Sequence, residues 1–159
     1  MQKPVLPEKK LIKGVYIFLL FIMGLTGFGQ MPIFKRYYIA DIPGLGWLAD
    51  FYFTHYIHYL GAIMLLALVA YCMTAYVLVE RHAFKLTWSG YVRAILIGAI
   101  MITGIFRVLK NLPRVLFSPG FTLVIDISHL AFMMLFILAA CLFLVMKSRW
   151  LSRKTVIAL

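Results

Sequence analysis

The feature that most constrains this chain is a set of four apolar runs, each about as long as a bilayer is thick. They occupy about residues 14–34, 53–79, 91–109 and 121–146. A helix needs ~20 residues to cross the hydrocarbon core of a membrane, so each run is close to sufficient. In lipid, every backbone N–H and C=O must be satisfied within its own segment, which makes such runs helices. Composition agrees. Of 159 residues, 64% are hydrophobic and 13% charged, against about 25% charged in a soluble domain. The expected fold class is an all-α integral membrane protein: an up-down bundle of four transmembrane helices, read as a single membrane domain over residues 1–159. The sequence shows no internal repeat, low-complexity tract or linker.

The charge of +11 would suggest nucleic acid in a soluble chain. Here the lysines and arginines gather at the ends of apolar runs, as topology signals do, and no basic face with interleaved aromatics remains to bind nucleic acid. Lys3, Lys9, Lys10 and Lys13 precede the first run and imitate a signal peptide. That run continues to Phe34 with no clean small-x-small cleavage site, so it reads as a retained span. Eleven of the 16 Lys and Arg fall on the side of the two termini and five on the other. The expectation is that both termini face the cytoplasm, in the inner membrane of a bacterium. The first loop, "KRYYIADIPGLGWLAD", has breakers at Pro43, Gly44 and Gly46 and headgroup-belt aromatics at Tyr37, Tyr38 and Trp47. Arg93 and Arg107 lie near the ends of the third span and must snorkel or find partners.

Cys72 and Cys141 lie inside apolar runs, and neither CxxC nor CxxCH occurs, which argues against an iron–sulfur ligand set or a covalently attached haem. The lack of HExxH, of GxSxG and of an acidic pair in a plausible site argues against a stand-alone hydrolase or metalloprotease.

Three of the four histidines carry the functional signal, His82 reading as a solvated loop residue. His55 and His58 open the second span in "FYFTHYIHYLGA". His129 lies about two turns into the fourth, in "TLVIDISHLAF". Span order brings these ends to one side of the membrane, and imidazoles from facing helices can ligate one metal from both sides, as in a b-type haem. His58 is the better ligand on its span, because Gly61 and Ala62 follow at i+3 and i+4 and would let a flat ring approach. His55 would then bond a propionate or a quinone, or be the ligand itself if the helix register is shifted. Asp126, at i−3 from His129, could orient an imidazole or a propionate's cationic partner, pass protons to a quinone, or be an interfacial residue paired with Arg107 or Lys110. Arg107 is the first choice for a propionate. Tyr52, Tyr56, His55 and Asp126 offer a quinone polar and aromatic surface; the tyrosines also suit an interfacial belt. Gly24, Thr26 and Gly27 in the first span, and Gly98, Thr103 and Gly104 in the third, permit close helix packing.

The run "MGLTGFGQMP" leaving the first span, "HYIHYLGA" opening the second, and a histidine in the outer part of the last span resemble the four-helix cytochrome b subunits. These anchor formate dehydrogenases, nickel–iron hydrogenases and thiosulfate reductases. The resemblance covers about residues 10–147. It implies an outer haem b held by two histidines, at positions matching His58 and His129. Such subunits commonly hold a second haem, with one ligand on the first span and another on the fourth. Here the first span has no histidine, and the corresponding position on the fourth is Phe143. One haem is therefore expected.

The implied role is a membrane anchor and electron-transfer subunit of a respiratory oxidoreductase. It would pass electrons between a periplasmic partner, bearing iron–sulfur clusters or multiple c-type haems, and menaquinone, ubiquinone or another membrane subunit. The outward loops would dock the partner. The competing readings are a haem-free scaffold or assembly subunit and a small ion or proton transport subunit.

Overall fold

The computed structural model describes residues 9–31 and 41–154. Four helices in it are long and apolar enough to cross a bilayer: α1 (Lys9–Gly29), α2 (Phe51–Leu78), α3 (Trp88–Leu109) and α4 (Pro119–Val145). Their large apolar side chains, Phe18, Phe21, Ile63 and Leu138 among them, point outward, as a lipid-facing surface requires. The chain is thus a multi-pass membrane protein. The first span begins earlier than its apolar run, because Lys9 and Lys10 already lie on the helix. The expected end of that run, 32–34, lies outside the described residues, as do Tyr37 and Tyr38.

Contacts divide the chain into two compact units, Met1–Val79 and Glu80–Leu159. In the first, α1 and α2 run antiparallel, with Met23 meeting Gly61, Thr26 meeting His58, and Gln30 meeting His55. A 3-10 turn, Gly46–Ala49, leads into α2, and its Leu48 is fully buried against Gly29. Asp50 then caps α2, its carboxylate accepting from the Phe53 N–H at 3.0 Å, which satisfies one of the orphan donors of the first turn.

In the second unit α3 and α4 form the antiparallel pair, with Thr103 meeting His129 and Arg107 meeting Asp126. Thr87 and Ser118 cap these helices, and Pro119 suits the first turn of α4, where no N–H is needed. Two short strands, outside the four apolar runs, close the unit. β1 (Phe84–Leu86) pairs antiparallel with β2 (Leu151–Arg153), Leu86 opposite Leu151. The ribbon draws the chain after α4 across the start of α3. There Arg93, expected to need partners, is buried between the rings of Phe143 and Trp150, 4.9 and 5.3 Å from its guanidinium carbon, and donates to the Ser148 carbonyl.

α4 ends in a left-handed residue, Lys147, at φ 53°. The Ser148 N–H bonds the Phe143 carbonyl and the Lys147 N–H bonds that of Leu144, which is the Schellman arrangement. A side chain in this conformation costs ~1 kcal/mol. Lys147→Gly should therefore stabilise the protein by about 1 kcal/mol in denaturant titration; a loss of stability would contradict this cap.

Candidate cofactor-binding site

Each unit presents one histidine in the same setting. In the first, Thr26 lies on α1 near its C-terminal end and His58 faces it from the second turn of α2. The Thr26 hydroxyl oxygen is 2.9 Å from His58 Nδ1 and 2.7 Å from the Ile22 carbonyl oxygen. Thr26 is fully buried. Gly27 is adjacent, and a Cβ there would stand 3.4 Å from His58 Cε1.

In the second unit, Thr103 Oγ1 is 3.0 Å from His129 Nδ1 and 2.8 Å from the Ala99 carbonyl oxygen. Gly104 follows, and a Cβ there would stand 3.2 Å from His129 Cε1. A threonine in a helix commonly bonds the carbonyl four residues back, which fixes its rotamer. A glycine at the next position then leaves room for the ring.

One turn outward the units differ. In the first, His55 Nδ1 faces Gln30 Oε1 at 3.1 Å, with the ring stacked on Phe51 at 5.2 Å and against Tyr59 at 4.2 Å. In the second, the corresponding pair is ionic. Asp126 receives Arg107 Nε at 3.1 Å and Lys110 Nζ at 2.6 Å. Of the uses read for Asp126, the structure shows the pairing, with both cations. Two cations on one carboxylate leave this end of the hairpin with a surplus positive charge.

The remaining candidates lie elsewhere. Tyr52 and Tyr56 are 85% and 62% exposed, as side chains of an interfacial belt are. The space beside Gly61 is taken by Met23 Sδ, 2.7 Å from where a Cβ would stand. This glycine therefore serves the packing of α1 on α2 rather than an open face for a ring. His82 is exposed in a short 3-10 turn, Glu80–His82. Cys72 and Cys141 are exposed on their helices, and neither forms a disulfide among the described residues. Among the described residues no group of three or more His, Cys, Asp or Glu gathers to hold a metal ion; a site with two histidine ligands needs no such group.

Sequence reasoning singled out Thr26, Gly27, Thr103 and Gly104 for close packing and missed their pairing with the histidines. It missed Gln30 and Tyr59 altogether. The signal available was the recurrence of Thr-Gly near the C-terminal end of the span preceding each histidine.

Comparison with protein-family models, with curated proteins and with solved structures finds no match for this chain.

Proposed function

We propose that this chain is a haem b-containing membrane anchor and electron-transfer subunit, with His58 and His129 as the axial ligands of one haem. It passes electrons between a periplasmic redox subunit and the quinone pool or another membrane subunit. The observation that carries this reading is the matched setting of the two histidines. In an apolar span, each imidazole is held through Nδ1 by a threonine of the neighbouring helix. A metal-ligating histidine ordinarily has such an outer partner for its other nitrogen, which fixes ring orientation. The donor set fits a b-type haem, which needs two imidazoles and no covalent motif.

When bound, haem supplies one-electron chemistry. The residues of the chain bind, orient and tune. His58 and His129 donate nitrogen ligands from helices within the bilayer. Arg107 and Lys110 share the single carboxylate of Asp126, and their surplus charge suits a propionate. His55, the counterpart of Asp126, is left for a propionate or a quinone. The charge bias supports cytoplasmic termini, which in a bacterial inner membrane would leave the histidine ends and the partner's docking loops on the outer side.

The haem-free scaffold draws on the same hydrogen bonds, each imidazole merely tying its hairpin together. The test is a preparation made with ample haem supply and reconstituted in proteoliposomes. It should be red, and a quinol analogue should reduce its chromophore. A colourless protein moves the reading to the scaffold. Haem that dithionite reduces and quinol does not would contradict the quinone link. Arg107→Gln should shift the midpoint potential while leaving haem content nearly unchanged; an unshifted potential would remove Arg107 from the propionate role.

A further inference from the structure

The two units carry one design twice. A single shift along the chain superposes Thr26 on Thr103, Gly27 on Gly104 and Gln30 on Arg107. A second shift superposes His55 on Asp126 and His58 on His129, and with them the buried Thr54 on Ile125 and Leu65 on Phe136. The first shift relates residues 26–30 to 103–107 and the second residues 54–65 to 125–136, so what recurs is the contact region of a helical hairpin and not an isolated residue pair. The outermost pairs have diverged, from Gln30 and His55 to Arg107 and Asp126, while hydroxyl, glycine and imidazole have stayed. A histidine that only tied two helices together could sit at any depth and use any partner. Here the same three groups recur at the same place.

The proton positions follow from the hydroxyls. A threonine hydroxyl has one proton to give and two lone pairs. Thr26 Oγ1 is nearer the Ile22 carbonyl than His58 Nδ1, 2.7 against 2.9 Å. Thr103 Oγ1 is nearer the Ala99 carbonyl than His129 Nδ1, 2.8 against 3.0 Å. A carbonyl can only accept, so the hydroxyl proton goes to it. The hydroxyl oxygen then accepts from the ring, and Nδ1 must carry the hydrogen. In a neutral imidazole that leaves the lone pair on Nε2.

The geometry points to Thr26 and Thr103 as a matched pair of positioning residues. Each holds its histidine, His58 and His129 respectively, as the Nδ1–H tautomer, so that both Nε2 atoms are electron-pair donors. Gly27 and Gly104 belong to the same device, since a side chain at either would press on Cε1 and turn the ring off its threonine. The matched tautomers stand on the hydrogen bonds alone; their use as a symmetric ligand pair for iron rests on the haem reading above.

Nitrogen NMR of haem-free protein labelled at histidine tests the tautomers directly, with His55 and His82 identified through H55Q and H82Q. His58 and His129 should both be neutral with the proton on Nδ1. Thr26→Val removes the acceptor without changing side-chain shape and should release His58 alone from that form; Thr103→Val should release His129 alone. T26S and T103S keep the hydroxyl and should restore the native spectra. In haem titrations each Val variant should bind ~10–100-fold more weakly than the parent, as loss of an outer partner typically does, and each Ser variant nearly as well as the parent.

Protonation at Nε2 in the unmutated protein would overturn the proposal even if no variant folds. So would Val variants with unaltered spectra and unaltered haem affinity. The two readings fail separately. Protein that takes up no haem but shows the Nδ1–H pattern retains this inference and loses the cytochrome. Protein that binds haem equally well with valine at both positions retains the cytochrome and loses the positioning role.

Discussion

His58→Ala and His129→Ala should each leave the protein without haem, and His55→Ala should leave it red. The contrast depends on the settings of the three histidines. His58 and His129 each face a threonine that back-bonds to its own helix, with a glycine following. His55 faces an amide and lies between two aromatic rings. If these two histidines hold a non-covalent b-type haem, losing either nitrogen would remove a bond that keeps it in place, so near-complete loss of the reduced spectrum is expected. The direct structural cost is small. The threonine–imidazole hydrogen bond that each substitution removes is worth about 1 kcal/mol. The variants should therefore insert and remain folded, and circular dichroism of the colourless preparations should match the parent. Haem retained in H58A together with its loss in H55A would exchange the roles of the two residues.

Gly90→Ala should be the most damaging single-methyl change in the second unit. The Trp150 carbonyl oxygen occupies the place a Cβ would take, and it is held there by the Thr87 N–H at 3.0 Å. Backbone on both sides means that neither partner can swing away. The ribbon of β1 and β2 would have to part from the start of α3, exposing Arg93 from between Phe143 and Trp150. Overpacking of this kind costs ~3 kcal/mol at its upper end. Gly98→Ala on the same helix meets nothing within 4 Å. It should be neutral or stabilising by up to ~1 kcal/mol, the ordinary gain of alanine over glycine in a helix. Equal stability of the two variants would show that the ribbon does not clamp α3.

The four spans were legible because length and hydropathy decide them, and their centres need no tertiary information. Their ends moved by a few residues where caps and lysines set the boundary: Asp50, Thr87 and Ser118 start helices before the apolar run begins. The ribbon was invisible because each strand has three residues and its partner lies more than sixty positions away. Legible at the site were the residue types and their depth, since a histidine or aspartate within a span is conspicuous. The repeat was not. Its two copies share few identities, and the shift that relates the first helices differs from the one that relates the second. Only the hydrogen bonds of Thr26 and Thr103 bring the copies into correspondence. The same contacts reassign Gly61, which looked like an open face along α2 until Met23 was seen to fill it.

The central claim is that two histidines of this chain hold one haem. A pyridine-haemochrome assay on purified protein of known concentration, with the dithionite-reduced spectrum, tests it most directly. About one non-covalent haem b per chain is the expected result. A protein made with ample haem that contains none would contradict it and leave two hairpins tied by threonine and histidine. About two per chain would also contradict it, bringing in ligands beyond His58 and His129.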